Sequence, residues 1–204
     1  MRTKLMLTLM VVLAATAATA EIVTVEVIGT VDFSQVNFGI FADVPSGAPA
    51  VYSFNVDSDV YMNSDNYNTR GYEIIQDSFW VTLGDVSVGL QSPYPADTTP
   101  YFVIRESDPV ADGFFLSNGV DWPTGVFIDE PGQVDQFKSA FEVGYEGDHL
   151  DTLDILDAVG THDYDGLTSF YFNIVDGPFE AIYLNFDYMV ISGTVATENT
   201  SWSE

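Results

Sequence analysis

The sequence predicts an all-β protein, an antiparallel β-sandwich of jelly-roll type with one short helix near residues 148–159. Apolar and polar residues alternate with a period of two along most of the chain, which is typical of strands with one buried face. The alternating segments are short and are separated by turn-forming stretches such as VPSG, SPYPADTTP, DWPTG and DEPGQ. Only one segment departs from this alternation, and short strands between frequent turns favour a sandwich.

The first candidate strand begins at the mature N-terminus, in the stretch EIVTVEVIGTVDF. Val23, Val25 and Val27 fall on one face of this strand, and Thr24 and Glu26 fall on the other. The further candidate strands cover residues 51–57, 78–90, 101–106, 113–116, 137–145, 167–175 and 179–192. No internal repeat or linker interrupts this series, so we expect a single domain over residues 21–195, followed by a polar tail over 196–204.

The exception is the segment DHLDTLDILDAVG, in which apolar residues are spaced as on a helix. Leu150, Leu153, Leu156 and Val159 recur at intervals of three, and Gly160 follows as a stop signal. Aspartates fill the opposite positions, which suits a solvated face. The pattern predicts a short helix that covers one end of the sandwich.

The first twenty residues, MRTKLMLTLMVVLAATAATA, have the pattern of a secretory signal peptide. Arg2 and Lys4 precede a short apolar run, and the small residues Ala18 and Ala20 form an A-x-A cleavage site. The run is shorter than the roughly 20 apolar residues that cross a bilayer. We therefore expect cleavage after Ala20 and a secreted protein, periplasmic or extracellular, without a membrane span in the mature chain.

Charge and cysteine content restrict the partners. After cleavage the chain has three basic residues, Arg70, Arg105 and Lys138, against 31 acidic ones, a formal net charge of −28. Such a surface repels nucleic acid and anionic lipid, and it repels itself unless salt or bound cations screen it. The chain has no cysteine, so no disulfide can stabilise it. Saline surroundings and binding of divalent cations both remain open as explanations of the charge.

The order of turn and strand signals also resembles a known family. The segments concerned are Asp43-Val44-Pro45, Tyr52-Ser53-Phe54 with Asp57, Gly71-Tyr72, and residues 81–84. This order resembles the β-rich body of exported bacterial proteins of the PEP-CTERM sorting class. The resemblance implies an exported β-sandwich without known activity. The chain ends SGTVATENTSWSE and lacks the Pro-Glu-Pro motif, apolar helix and basic cluster of that class, so surface sorting is not implied.

The stretch DSDVYMNSDNYN concentrates oxygen ligands that suit calcium. Asp57, Asp59, Asn63 and Asp65 are the candidate ligands, because Ca²⁺ takes six to eight oxygens from carboxylates, amides and carbonyls. The spacing is not that of an EF-hand, and a solvated turn between two strands explains the same residues. We retain a calcium site here as a prediction, with Ca²⁺ as the only expected cofactor.

Three aromatic residues near proline-rich loops, Tyr94, Tyr101 and Trp122, are candidates for binding carbohydrate. Aromatic rings stack on the apolar faces of sugars, although the same residues could instead cover the core. The sequence contains no G-x-S-x-G elbow, H-E-x-x-H motif or phosphate-binding loop. We therefore expect a non-catalytic, calcium-stabilised protein of the extracellular matrix or cell surface. A carbohydrate-binding module is the alternative, followed by a glycoside hydrolase, and an extracellular glycan or surface polymer is the expected partner.

Overall fold

The computed structural model describes residues 20–107, 111–129, 137–176 and 180–193. Within them lie twelve strands and two single-turn 3₁₀ helices, Gly39–Phe41 and Gln76–Ser78. The strands are β1 (Ile22–Ser34), β2 (Pro49–Asn63), β3 (Thr69–Ile74), β4 (Trp80–Leu83), β5 (Val86–Val88), β6 (Tyr101–Arg105), β7 (Asp112–Ser117), β8 (Val126–Phe127), β9 (Phe137–Tyr145), β10 (Gly160–His162), β11 (Leu167–Asp176) and β12 (Glu180–Gly193). The expectation of a nearly all-β chain is confirmed.

The predicted sandwich is wrong, because eight of the strands close into one antiparallel barrel. Their order around the barrel is β1, β12, β11, β9, β7, β6, β3, β2 and back to β1. Strand β1 closes the ring, since Val25 lies opposite Phe54 of β2 on one side and opposite Ile191 of β12 on the other. The hairpin β4–β5 adds to β2, β8 adds to β9, and β10 adds to β12.

The barrel closes because the long strands bend at irregularities of register. The β1–β12 pairing shifts between Ile28 and Gly29 and again between Val31 and Phe33. Bulges of this kind increase the local twist and allow a sheet to curl onto itself. Gly29 is required here, since a Cβ atom at this position would lie 1.9 Å from the carbonyl oxygen of Asn185 on β12. Strands of a sandwich and strands of a barrel both alternate buried and exposed residues, so the alternating pattern is compatible with either fold.

The interior of the barrel is rich in aromatic side chains. Phe54, Phe102 and Phe114 come from three different strands and form a continuous series of ring contacts, with centroids 5.5 and 5.7 Å apart. Tyr52 and Phe141 both contact Phe172 on β11 in edge-on geometry. Because large rings fill the centre of an eight-stranded barrel, the core stabilises this cysteine-free chain without a disulfide.

A second, smaller apolar cluster lies on the outer wall of the barrel. It consists of Tyr101 and Val103 of β6, Phe115 of β7 and Val120 of the following loop. These strand residues alternate with the inward-facing Phe102, so they face away from the interior. Val120 covers them, and the loop that carries it is therefore held flat against the barrel wall.

The predicted helix over residues 148–159 is also wrong, because this segment consists of bends and one turn. Side chains bind the backbone N–H groups that a helix would need. The buried carboxylate of Asp112 accepts the N–H groups of His149 and Leu150, both at 2.7 Å. The Tyr72 hydroxyl accepts the N–H group of Ile155 at 3.0 Å, and short polar side chains within the segment accept two more. Local side-chain hydrogen bonds thus replace helical ones.

Several sequence predictions fall outside the described residues. The signal peptide over residues 1–20, except for Ala20, and the polar tail over 196–204 are among them. In the part of the chain that the structure covers, no helix has the length and apolar character to cross a membrane.

The closure of the barrel can be tested at Gly29. Gly29→Ala places a methyl group against the β12 backbone, so we expect the free energy of unfolding to fall by about 1–3 kcal/mol. Gly119→Ala is the matched control, because a Cβ atom there has no neighbour within 4 Å. Chemical denaturation of both variants measures the difference, and equal stabilities would contradict the described β1–β12 contact.

Candidate functional site

The loop between β7 and β8 builds the most distinctive surface feature of the molecule. Ser117, the last residue of β7, donates a hydrogen bond to the carbonyl of Trp122 at 2.6 Å, and its hydroxyl lies 3.0 Å from that of Thr124. Thr69 on β3 donates to the carbonyl of Val120 at 2.5 Å. Val120 itself packs into the outer apolar cluster. The loop is therefore fixed at its base by hydroxyl groups and at its tip by apolar packing.

This arrangement leaves Trp122 on the surface. Its side chain is 58% exposed, the largest value among the exposed apolar residues of the described chain. Tyr67, which is also exposed, meets the indole edge-on with ring centroids 4.8 Å apart. An exposed pair of aromatic rings held on a rigid loop is a feature of binding surfaces, because their burial by a ligand is favourable.

The turn that carries Tyr67 is joined to the Trp122 loop by Asp121. One carboxylate oxygen of Asp121 accepts the Ser64 hydroxyl at 2.6 Å, and the other accepts the Asn66 amide at 3.3 Å. The Ser64 hydroxyl also accepts the backbone N–H groups of Asn66 and Tyr67. A loop after β7 and a turn after β2, more than 50 residues apart in sequence, thus form one surface.

Between them lies a groove of about 600 Å³, which we call the Trp122 groove. Residues 62–66 and 117–122 line it, together with Thr98, Thr124, Phe127 and Lys138. A cavity of about 350 Å³ adjoins it, and Asp121 and Trp122 line both. The groove has the size of a small-ligand site and combines aromatic rings with amides, hydroxyls, carboxylates and one ammonium group.

The predicted carbohydrate-binding residues are in three different environments. Trp122 is exposed in the groove, as a stacking residue would have to be. Tyr101 is only 7% exposed and lies under the Val120 loop, so its ring faces the outer apolar cluster. Tyr94 is half-buried beside the groove, where its hydroxyl donates to Asn118 and accepts the N–H group of Phe127. Burial raises the pKa of Tyr94, which therefore supports the loop as a neutral phenol.

The predicted calcium ligands are divided between two places. Asn63 and Asp65 lie on the Trp122 groove. Asp57 and Asp59 lie further back along β2, where the carboxylate of Asp57 accepts the N–H group of Asp59 at 2.9 Å. Asn63 lies six residues after Asp57 along the strand, a span of roughly 20 Å. The structure does not bring the four together, and the described residues contain no group of three or more His, Asp or Glu side chains that could hold a metal ion. Calcium binding stays a prediction.

Sequence reasoning missed Tyr67, Ser64, Asn66, Asp121 and Lys138. Tyr67, Ser64 and Asn66 belong to the stretch DSDVYMNSDNYN, which contains the predicted calcium ligands. No local signal indicates that this turn meets Trp122, because the contact depends on barrel topology. Asp121 precedes Trp122 directly, so a search for polar residues beside an exposed aromatic would have found it.

The two histidines of the chain form a second cluster at the 146–159 segment. His149 Nε2 and His162 Nδ1 lie 3.1 Å apart, and His162 Nε2 lies 2.8 Å from the carbonyl oxygen of Ala158. Because His162 Nε2–H donates to that carbonyl, its Nδ1 accepts the proton of His149 in the neutral pair. His149 also stacks on Tyr145 with ring centroids 4.0 Å apart. Burial lowers the pKa of His162, and the proximity of His149 lowers it further.

Comparison of the chain with protein-family models, with curated proteins and with solved structures finds no match.

The His162 environment predicts a pH dependence of stability. Burial holds the pKa of His162 in the folded protein below the value near 6.5 that it has in the unfolded chain. The free energy of unfolding should therefore be highest above about pH 6.5 and fall as the pH drops below it. Denaturation between pH 7.5 and 5.5 measures this loss. In His162→Gln the loss should be smaller, and an unchanged slope would contradict the assignment.

Proposed function

We propose that this protein is an exported, non-catalytic protein that binds an extracellular glycan in the Trp122 groove. The observation that carries the proposal is the exposed indole of Trp122, held beside Tyr67 over a mainly apolar groove that also carries amide, hydroxyl and carboxylate groups. Sugar rings present apolar C–H faces to aromatic side chains and hydroxyl groups to polar ones. A groove for such a ligand needs both kinds of surface side by side.

The polar groups of the groove suit sugar hydroxyls. Each sugar hydroxyl both donates and accepts. The Asn66 and Asn118 amides and the Thr124 hydroxyl offer both roles, and the Asp65 carboxylate accepts. The hydrogen bonds of Ser117 and Asp121 hold the loop and the turn in place before any ligand arrives. Such preorganisation reduces the conformational entropy that binding would otherwise cost.

The hydrogen bonds that Asp121 accepts favour a binding function over glycan hydrolysis. Both of its carboxylate oxygens accept hydrogen bonds that join the loop to the turn, so its role in the structure is to hold the groove together. A glycoside hydrolase needs two carboxyl groups available to the scissile bond. Among the described residues, Asp65 and Asp121 are the carboxylates that line the groove, and Asp121 is already engaged.

Export supports the same proposal. The signal-peptide pattern directs the chain to a compartment where polysaccharides of the envelope and the surroundings are abundant. The acidic surface suits saline surroundings, in which screening reduces its self-repulsion.

Screening of the mature protein on a glycan array, with and without calcium, tests the proposal. For a glycan that binds, Trp122→Ala should lose about 2 kcal/mol of binding free energy, roughly 30-fold in affinity, as expected for a central aromatic contact. Its thermal midpoint should change little, because the side chain is exposed.

Trp80→Ala is the control for this experiment. Trp80 is 50% exposed but lies on β4 and lines a different cavity. Its removal should leave glycan affinity unchanged. Retained affinity in Trp122→Ala, or an equal loss in both variants, would contradict binding in the Trp122 groove.

A further inference from the structure

The three fixed cations of the mature chain converge on the Trp122 groove. Lys138 lines the groove, and Arg105 lines the adjoining cavity that shares Trp122. Arg70 donates its Nε–H to Asn63, another lining residue, at 2.8 Å. They come from β9, β6 and β3, so barrel topology rather than sequence proximity brings them here. In a chain with 31 acidic residues, this is the region where positive charge is concentrated.

Two of these cations already have polar partners. Arg105 pairs with Glu142 at 3.1 Å and lies 4.8 Å from the ring centroid of Phe115. Arg70 lies 4.2 Å from the ring centroid of Tyr61, in addition to its hydrogen bond with Asn63. Both guanidinium groups are thus already in contact with polar and aromatic groups of the protein itself.

Lys138 differs from both. Its Nζ lies 4.5 Å from the ring centroid of Phe127, which also lines the groove, and it has no carboxylate partner within the described residues. An ammonium group has three N–H donors. The face of an aromatic ring attracts its positive charge but does not accept a hydrogen bond as an oxygen atom would. Among the described residues, no carboxylate pairs with this ammonium group, which leaves it available to a ligand in the groove.

We infer that the glycan bound in the Trp122 groove carries an acidic group, a carboxylate or a sulfate ester, which the Lys138 ammonium binds while Trp122 stacks on a sugar ring. This inference rests on the proposed function and specifies its ligand. A charge-assisted hydrogen bond to Lys138 is stronger than one between neutral groups. The acidic group lies at the Phe127 side of the groove, and neutral hydroxyls face the turn at residues 63–66.

The acidic surface limits how many negative charges such a glycan carries. Asp65 also lines the groove, and the carboxylates elsewhere repel any anion. At an ionic strength of 0.15 M, repulsion beyond about 8 Å is largely screened, whereas the contact with Lys138 is not. A glycan with isolated acidic residues among neutral ones therefore fits this surface better than a polyanion.

The test compares ligands that differ only in charge. An array at pH 7.5 and 0.15 M salt carries uronic acid oligosaccharides beside their methyl esters, and sulfated oligosaccharides beside their unsulfated forms. For the acidic member of a bound pair we expect an affinity about tenfold higher than for its neutral partner. A preference among the uronic acid pairs identifies the acidic group as a carboxylate, and a preference among the sulfated pairs identifies it as a sulfate ester.

Variants then assign the preference to Lys138. In Lys138→Gln the affinity ratio should fall to about one, and in Lys138→Arg, which retains the charge, the preference should remain. Asn185→Asp is the matched control, because it changes the net charge by the same amount at an exposed residue of β12 that lines neither the groove nor the adjoining cavity, and it should keep the ratio. A loss of the preference in Asn185→Asp as well would show a general charge effect and overturn the assignment.

The other outcomes separate this inference from the proposed function. If acidic and neutral members bind equally well through Trp122, the groove binds glycans but the inference is wrong. A preference that survives in Lys138→Gln also overturns it. If no member of any pair binds, the proposed function fails and the inference fails with it.

Discussion

Strand β1 hydrogen-bonds along its length to both β2 and β12, and the rest of the structure depends on this double pairing. β2 follows β1 closely in the chain, whereas β12 ends at Gly193. When β1 joins them, the sheet has no free edge within the ring, and the alternating apolar residues of eight strands face a single interior. At Gly29 the backbones of β1 and β12 lie so close together that a Cβ atom would clash with the carbonyl oxygen of Asn185. The turn after β2 and the loop after β7 lie side by side on this ring through the neighbouring pairings β2–β3, β3–β6 and β6–β7.

The outer wall of the barrel explains where the groove forms. On β6 and β7, apolar residues face outward as well as inward, and Val120 covers them. This packing, and the hydroxyl of Thr69 beneath it, fixes the loop that presents Trp122. The scarce cations lie against aromatic rings of the same wall, Lys138 on Phe127 and Arg105 on Phe115. A surface that is strongly acidic elsewhere thus holds one region in which opposite charges and aromatic rings are combined.

Much of the local structure was predictable from the sequence. The alternation located most of the strands, and Phe137–Tyr145 matches the predicted span residue for residue. The closed barrel was not predictable, because alternation gives the face of each residue but not the partner of each strand. The helix at 148–159 was mispredicted because Asp112 and Tyr72, distant in sequence, bind its backbone N–H groups. Trp122 was predicted as a candidate because it stands near a proline-rich loop. Tyr67 and Lys138 were not, because only the long-range pairing of the strands brings them close to Trp122.

The most direct test of a ligand site at the Trp122 groove uses the three tryptophans of the chain as probes. In a ¹⁵N-correlated NMR spectrum each indole N–H gives one resonance, and Trp122→Phe and Trp80→Phe assign two of them. Titration with a glycan that binds on the array should shift the Trp122 resonance in a saturable manner and leave that of Trp80 in place. A saturable shift of Trp80 without one of Trp122 would place the ligand elsewhere and contradict the central claim.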